Sequence, residues 1–169
     1  MKISILIIGL VLLAIYIVPT VILARFHMNS RKRFFKELFT LAKQRDCIIS
    51  QHDFWNKTAI GIDKDYRSLF YISKTTNNDD MVTINLLEVL KCQIVKKRRN
   101  IGKHVDNSPV IEKLGLIFTY FDKEKPETFL EFYNFDSNFL SSDKELSLTE
   151  KWAGIVNEVI AGRILGPLK

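Results

Sequence analysis

The chain opens on an unbroken apolar tract and then changes rhythm twice. Between Ile3 and Ala24 no charge occurs, and only Ser4, Gly9, Pro19 and Thr20 interrupt the aliphatic and aromatic run. As a helix this tract rises roughly 33 Å at ~1.5 Å per residue, enough for a ~30 Å hydrocarbon core. It is longer than the apolar part of a cleaved leader, and Val21 to Arg25 offers no small-x-small site, so an uncleaved signal anchor over 1–24 is expected. From Asn29 to Arg45 the period becomes helical. Phe34, Phe35, Leu38, Phe39, Leu41 and Ala42 share one broad face, and Asn29 or Ser30 is placed to cap it.

From Cys47 the period drops to two. Strands are predicted over Cys47–Gln51, Thr58–Ile62, Leu69–Ser73, Met81–Leu86, Val89–Lys96, Leu114–Phe121 and Thr128–Phe135. Turn chemistry separates them at Asp63-Lys64-Asp65, Asn77 to Asp80, Asn100 to Asn107 and Asp122 to Pro126. A polar stretch, Asp136 to Ser147, then leads to a helix capped by Thr149. In it Trp152, Ile155, Val156, Val159 and Ile160 form a stripe, and Gly162 ends it. The expected organisation is α+β: a transmembrane helix (1–24), a basic amphipathic helix (25–45), and a seven-stranded antiparallel barrel or sheet capped by a C-terminal helix (46–162). A short tail (163–169) follows.

Charge sharpens this division. Arg25, Arg31, Lys32, Arg33, Lys36, Lys43 and Arg45 stand against Glu37 alone, and seven minus one equals the +6 of the whole chain. Since positive residues are retained on the inner side, the expectation is a single-pass protein of the cell membrane with its amino terminus outside and its domain cytoplasmic. Arg31, Lys32, Arg33 and Lys36 become candidate contacts for anionic lipid; the alternative is that the phenylalanine stripe packs on the following domain or pairs with a second copy. A second run, Lys96, Lys97, Arg98, Arg99 and Lys103, is read as a basic loop suited to anionic lipid or an acidic protein partner. No aromatic platform is interleaved with it, so nucleic acid is not expected.

Reaction chemistry is not written in any motif. There is no phosphate cradle, His-Glu-x-x-His, Gly-x-Ser-x-Gly or Cys-x-x-Cys. Cys47 and His52 lie five residues apart, ~17 Å along a strand and on opposite faces, which argues against a nucleophile pair. His52, Asp53, Asp63 and Asp65 are conceivable cation ligands, but turn aspartates ordinarily bond their own backbone. No metal, cofactor or catalytic residue is expected. Cys47 and Cys92 are expected as free thiols, although nothing in their spacing excludes a disulfide.

Seven short strands followed by one tryptophan-bearing helix resemble the pleckstrin-homology-like domains of small bacterial membrane proteins. The phrase Thr58-Ala59-Ile60-Gly61-Ile62-Asp63, leading to Leu69-Phe70-Tyr71-Ile72, is similar to their second and third strands. The phrase Ile84-Asn85-Leu86-Leu87-Glu88-Val89 is similar to their entry into a long strand. The resemblance covers Cys47 to Gly162 by order of elements and implies a binding or scaffolding module with an unnamed partner. The first hairpin loop, Gln51 to Lys57, holds one lysine, which gives a phosphoinositide ligand no support. The expected function is a membrane-anchored module binding a protein partner or an anionic lipid surface. The alternatives are a structural subunit of a larger membrane assembly, for which Gly9 and Ala14 offer little small-residue surface, or an enzyme with an unrecognised site.

Overall fold

The computed structural model describes residues 13, 15–19, 32–74, 79–99, 110–136 and 143–164. A helix over 32–43 (α1) comes first among the larger elements. Then follow β1 (Ile49–Trp55), β2 (Thr58–Asp63), β3 (Ser68–Lys74) and β4 (Asp79–Asn85). A 3-10 turn (Leu86–Glu88) leads to β5 (Val89–Arg99), β6 (Val110–Tyr120) and β7 (Thr128–Asn134), and a long helix α2 (Asp143–Ile164) closes the series.

All neighbouring strands are antiparallel, in the order β1-β2-β3-β4 and, separately, β5-β6-β7. This corrects the expected seven-stranded barrel: β4 and β5 do not pair, and the architecture is two sheets with a helix. The break has a local cause. Asn85 accepts from the Leu87 amide through its side chain and caps the 3-10 turn, which carries the chain out of sheet register between β4 and β5.

The main core fills the space between the sheets. Ile60 and Ile62 of β2, Leu69 and Tyr71 of β3, Leu116 and Phe118 of β6 and Leu130 and Phe132 of β7 meet Trp152, Val156 and Ile160 of α2. Trp152 is fully buried, and its indole Nε1 donates to Asp53 on β1 at 2.9 Å, so α2 is fixed by burial and by one satisfied polar atom. α2 begins six residues before Thr149. That threonine is therefore no cap: it is buried in the helix and donates back to the Glu145 carbonyl at 2.6 Å. Gly162 does not stop the helix, which runs to Ile164.

A second, smaller core lies on the other face of the four-stranded sheet. Phe34, Leu38 and Ala42 of α1 pack on Ile49, Ala59, Phe70 and Ile72. The amphipathic helix is thus docked on the domain, the packing considered above. Gly61 permits the close seat: a Cβ there would lie 3.1 Å from Ile49 Cγ2 and 3.2 Å from Leu38 Cδ2. With α1 above and the main core below, every residue of β2 is buried, which is why its sequence reads as nearly continuous apolar.

The expected membrane anchor is also corrected. Among the described residues no helix is long and apolar enough to cross a membrane. Of the segment 1–24, residues 13 and 15–19 are described, as helix, and the rest of that expected span lies outside the described residues, as do the capping positions Asn29 and Ser30. The single-pass cell-membrane assignment, with its amino terminus outside and a cytoplasmic domain, falls with the anchor on which it rested.

Candidate functional site

α1 does more than complete a core. While Phe34, Leu38 and Ala42 point into the sheet, the positions one step round the helix form a wall. Arg33, Lys36, Glu37, Thr40, Leu41 and Gln44 line a groove of roughly 380 Å³ whose other side is Met81 of β4. The register explains Met81: it pairs with Ile72, which faces α1, so its side chain emerges on the helix side of the sheet, where it is 55% exposed. β4 lies at the edge of the sheet and α1 sits over its inner strands, leaving a trough between helix and edge.

The helix side of this trough carries a positive balance, while Asp79 and Asp80 precede Met81 on the strand side. Over 32–45 the chain carries Lys32, Arg33, Lys36, Lys43 and Arg45 against Glu37 alone, a balance of five minus one. Glu37 is already answered: its carboxylate lies 3.1 Å from Arg33 Nε and 2.7 Å from Lys74 Nζ. Burial would raise its pKa, yet hydrogen bonds and charge from Lys74 and Arg33 together hold the carboxyl below its ordinary value. Lys74 also sits over the Phe34 ring, 5.6 Å from its centroid, which ties the strand cation to the helix core. Lys36 is exposed and has no acidic partner among the described residues. The arrangement can take a negatively charged group at the Arg33–Lys36 end and an apolar one over Leu41 and Met81.

Of the four basic candidates on this helix, Lys32, Arg33 and Lys36 are placed on exposed α1 positions; Arg31 lies outside the described residues. The basic run at the chain's middle is placed differently from expectation. Lys96, Lys97, Arg98 and Arg99 are not a loop; they are the last residues of β5, and Lys103 lies outside the described residues. Lys96 pairs with Glu150 of α2 at 3.3 Å and Lys97 with Glu112 of β6 at 3.2 Å. Half of the run in β5 is therefore engaged inside the domain, and Arg98 and Arg99 remain outward and exposed.

The residues weighed for chemistry are kept apart. Asp63 accepts from the Arg67 and Ser68 amides at 2.7 and 2.8 Å, closing its own turn. Asp53 takes Lys151 at 2.6 Å as well as the Trp152 indole. His52 lies between the rings of Phe35 and Phe39, with centroids 4.7 and 5.6 Å away. Cys47 donates through Sγ to the Arg45 carbonyl and is a free thiol, as is the buried Cys92. Among the described residues no group of three or more His, Cys, Asp or Glu gathers where a metal ion would be held.

Sequence reasoning missed the role of Trp55, assigned to a loop and in fact the end of β1. Its indole donates to the Phe132 carbonyl at 2.9 Å and its ring stacks on Phe132. The signal was present in Asn56-Lys57, a two-residue turn with Asn56 at φ 45°, flanked by the paired residues Trp55 and Thr58. The groove itself was missed because Met81 and Leu41 are far apart in sequence. No family model, no curated protein and no solved structure matches this chain, so the site stands on its own geometry.

Proposed function

We propose that this chain is a non-catalytic binding module that holds an acidic segment of a protein partner in the groove between α1 and β4. The observation that carries the reading is the groove's composition: Lys36 without an acidic partner among the described residues, Arg33 already paired with Glu37, and the apolar Leu41 facing Met81, on a helix of strongly positive balance. Opposite charge steers association and fixes register, while the apolar centre supplies the area-dependent part of the affinity.

The test uses a fluorescein-labelled peptide of alternating Glu and Leu and reads anisotropy at two salt concentrations. The full chain binds it, more weakly at high salt, and Lys36→Glu reduces affinity tenfold or more. Equal binding of a Lys/Leu peptide, or an unchanged affinity in Lys36→Glu, would remove the reading. Stronger retention on phosphatidylglycerol vesicles than on the peptide, lost in the same variant, would replace the protein partner by a lipid surface.

A further inference from the structure

The two sheets present four outer strands, and three of them are blunted. β1 shifts register between Ile49 and Gln51, and β5 shifts between Val89 and Lys91 and again between Lys97 and Arg98. Asn157 of α2 donates to the Cys92 carbonyl of β5 at 3.2 Å. On β7 the pairing slips opposite Leu114 and Gly115, and the carbonyls of Glu131 and Phe132 accept from Tyr71 and Trp55. Bulges and side-chain covers of this kind stop an edge from recruiting another strand.

Among the described residues, β4 shows no bulge and no such cover over Met81 to Ile84. It pairs with β3 over seven consecutive positions, Lys74↔Asp79 to Ser68↔Asn85, without a register shift. Its sequence, Asp-Asp-Met-Val-Thr-Ile-Asn, contains no proline or lysine. Apart from β3, no hydrogen-bonding group meets Met81 to Ile84 among the described residues. A straight, uncovered edge with β-branched residues at its centre is a template for strand addition.

The same seven residues choose the added strand. A second β4 laid antiparallel on a two-fold axis through Val82 overlaps along the whole strand. It sets Met81 opposite Thr83 of the other copy, Asp80 opposite Ile84 and Asp79 opposite Asn85. The two acidic pairs fall at opposite ends, and no like charges face each other. A parallel arrangement would stack aspartate on aspartate, and a shift of the axis to Met81 or Thr83 shortens the overlap. An isologous contact needs just such self-complementarity. We propose that two copies of this chain join through β4, forming one continuous eight-stranded sheet with both α1 helices on the same face. The two grooves then open toward each other across Met81 and Thr83 of both copies. The pairing stands independently of what the groove binds.

The register makes a charge-swap test possible, since it sets Met81 directly opposite Thr83 of the other copy across the two-fold. The full chain sediments as a dimer at micromolar concentration. Met81→Lys with Thr83→Lys puts lysine opposite lysine twice and yields monomer, whereas Met81→Lys with Thr83→Glu restores the dimer. Thermal melting of both double variants separates loss of pairing from loss of folding, the first variant retaining a cooperative transition. A parent that is monomeric at 100 μM overturns the inference, as does a dimer that persists in the lysine pair. So does a failure of the lysine–glutamate pair to restore association while it remains folded.

Discussion

At Gly115 a Cβ would fall 2.3 Å from the Leu130 carbonyl oxygen and 2.5 Å from Phe129 Cζ, so the bulge between β6 and β7 accepts no side chain there. At Gly154, on the exposed side of α2, the same atom would meet nothing within 4 Å. The two alanine substitutions therefore act with opposite signs. Gly115→Ala lowers unfolding free energy by about 1–3 kcal/mol through backbone displacement. Gly154→Ala raises it by ~0.5–1 kcal/mol through helix propensity. Urea melts of both variants check the pair. Cys92 and Tyr71 give the residue scale a pH signature. Burial pushes the Cys92 thiol up to about 12 and raises the Tyr71 hydroxyl as well. Both acids are kept neutral in the folded state and ionise more readily on unfolding. Their contribution is complete below their unfolded values, ~8.5 and ~10, and is lost as pH rises toward the folded ones. Thermal stability accordingly declines above pH ~9, and Cys92→Ala, less stable at pH 7, declines less steeply.

α1 forms one wall of the groove, and Leu38 seats it on the sheet. Fully buried between helix and sheet, Leu38 truncated to alanine costs ~2–4 kcal/mol, and because α1 forms one wall of the groove, acidic-peptide affinity falls with it. Denaturant melts and anisotropy on one variant test this coupling. What the sequence discloses about the elements follows their burial pattern. All seven strands are legible because at least one face of each is apolar, and in β2 and β3 both are. The second half of β1 is hidden, since Gln51 and His52 are exposed. The end of β5 is hidden because Lys96 to Arg99 project beyond the core, and a strand with both faces wet carries no period-two signal. The first turns of α2 are hidden for a related reason: Asp143 to Ser147 present few apolar side chains, and the helix is held there by Asn56 donating to Glu145 at 2.8 Å. The groove lies deeper still, because its walls are sequence-distant and its width depends on how closely Leu38 approaches Gly61.

At the scale of the molecule, two cores share one sheet. The four-stranded sheet is covered on one face by the inter-sheet core and on the other by α1, so its free resource is the β4 edge and the trough beside it. Charge follows the same division: the positive balance belongs to α1, and the β5 lysines are partly spent on Glu150 and Glu112. The central claim is that the α1–β4 groove is the partner-binding surface. Site-specific photo-crosslinking measures it most directly, with a benzoylphenylalanine placed at Gln44 in the groove or at Lys91 on β5. Protein adducts are expected from position 44, formed through an acidic segment and lost when Lys36→Glu is added. Equal adducts from position 91, or adducts at 44 that ignore Lys36→Glu, would contradict it.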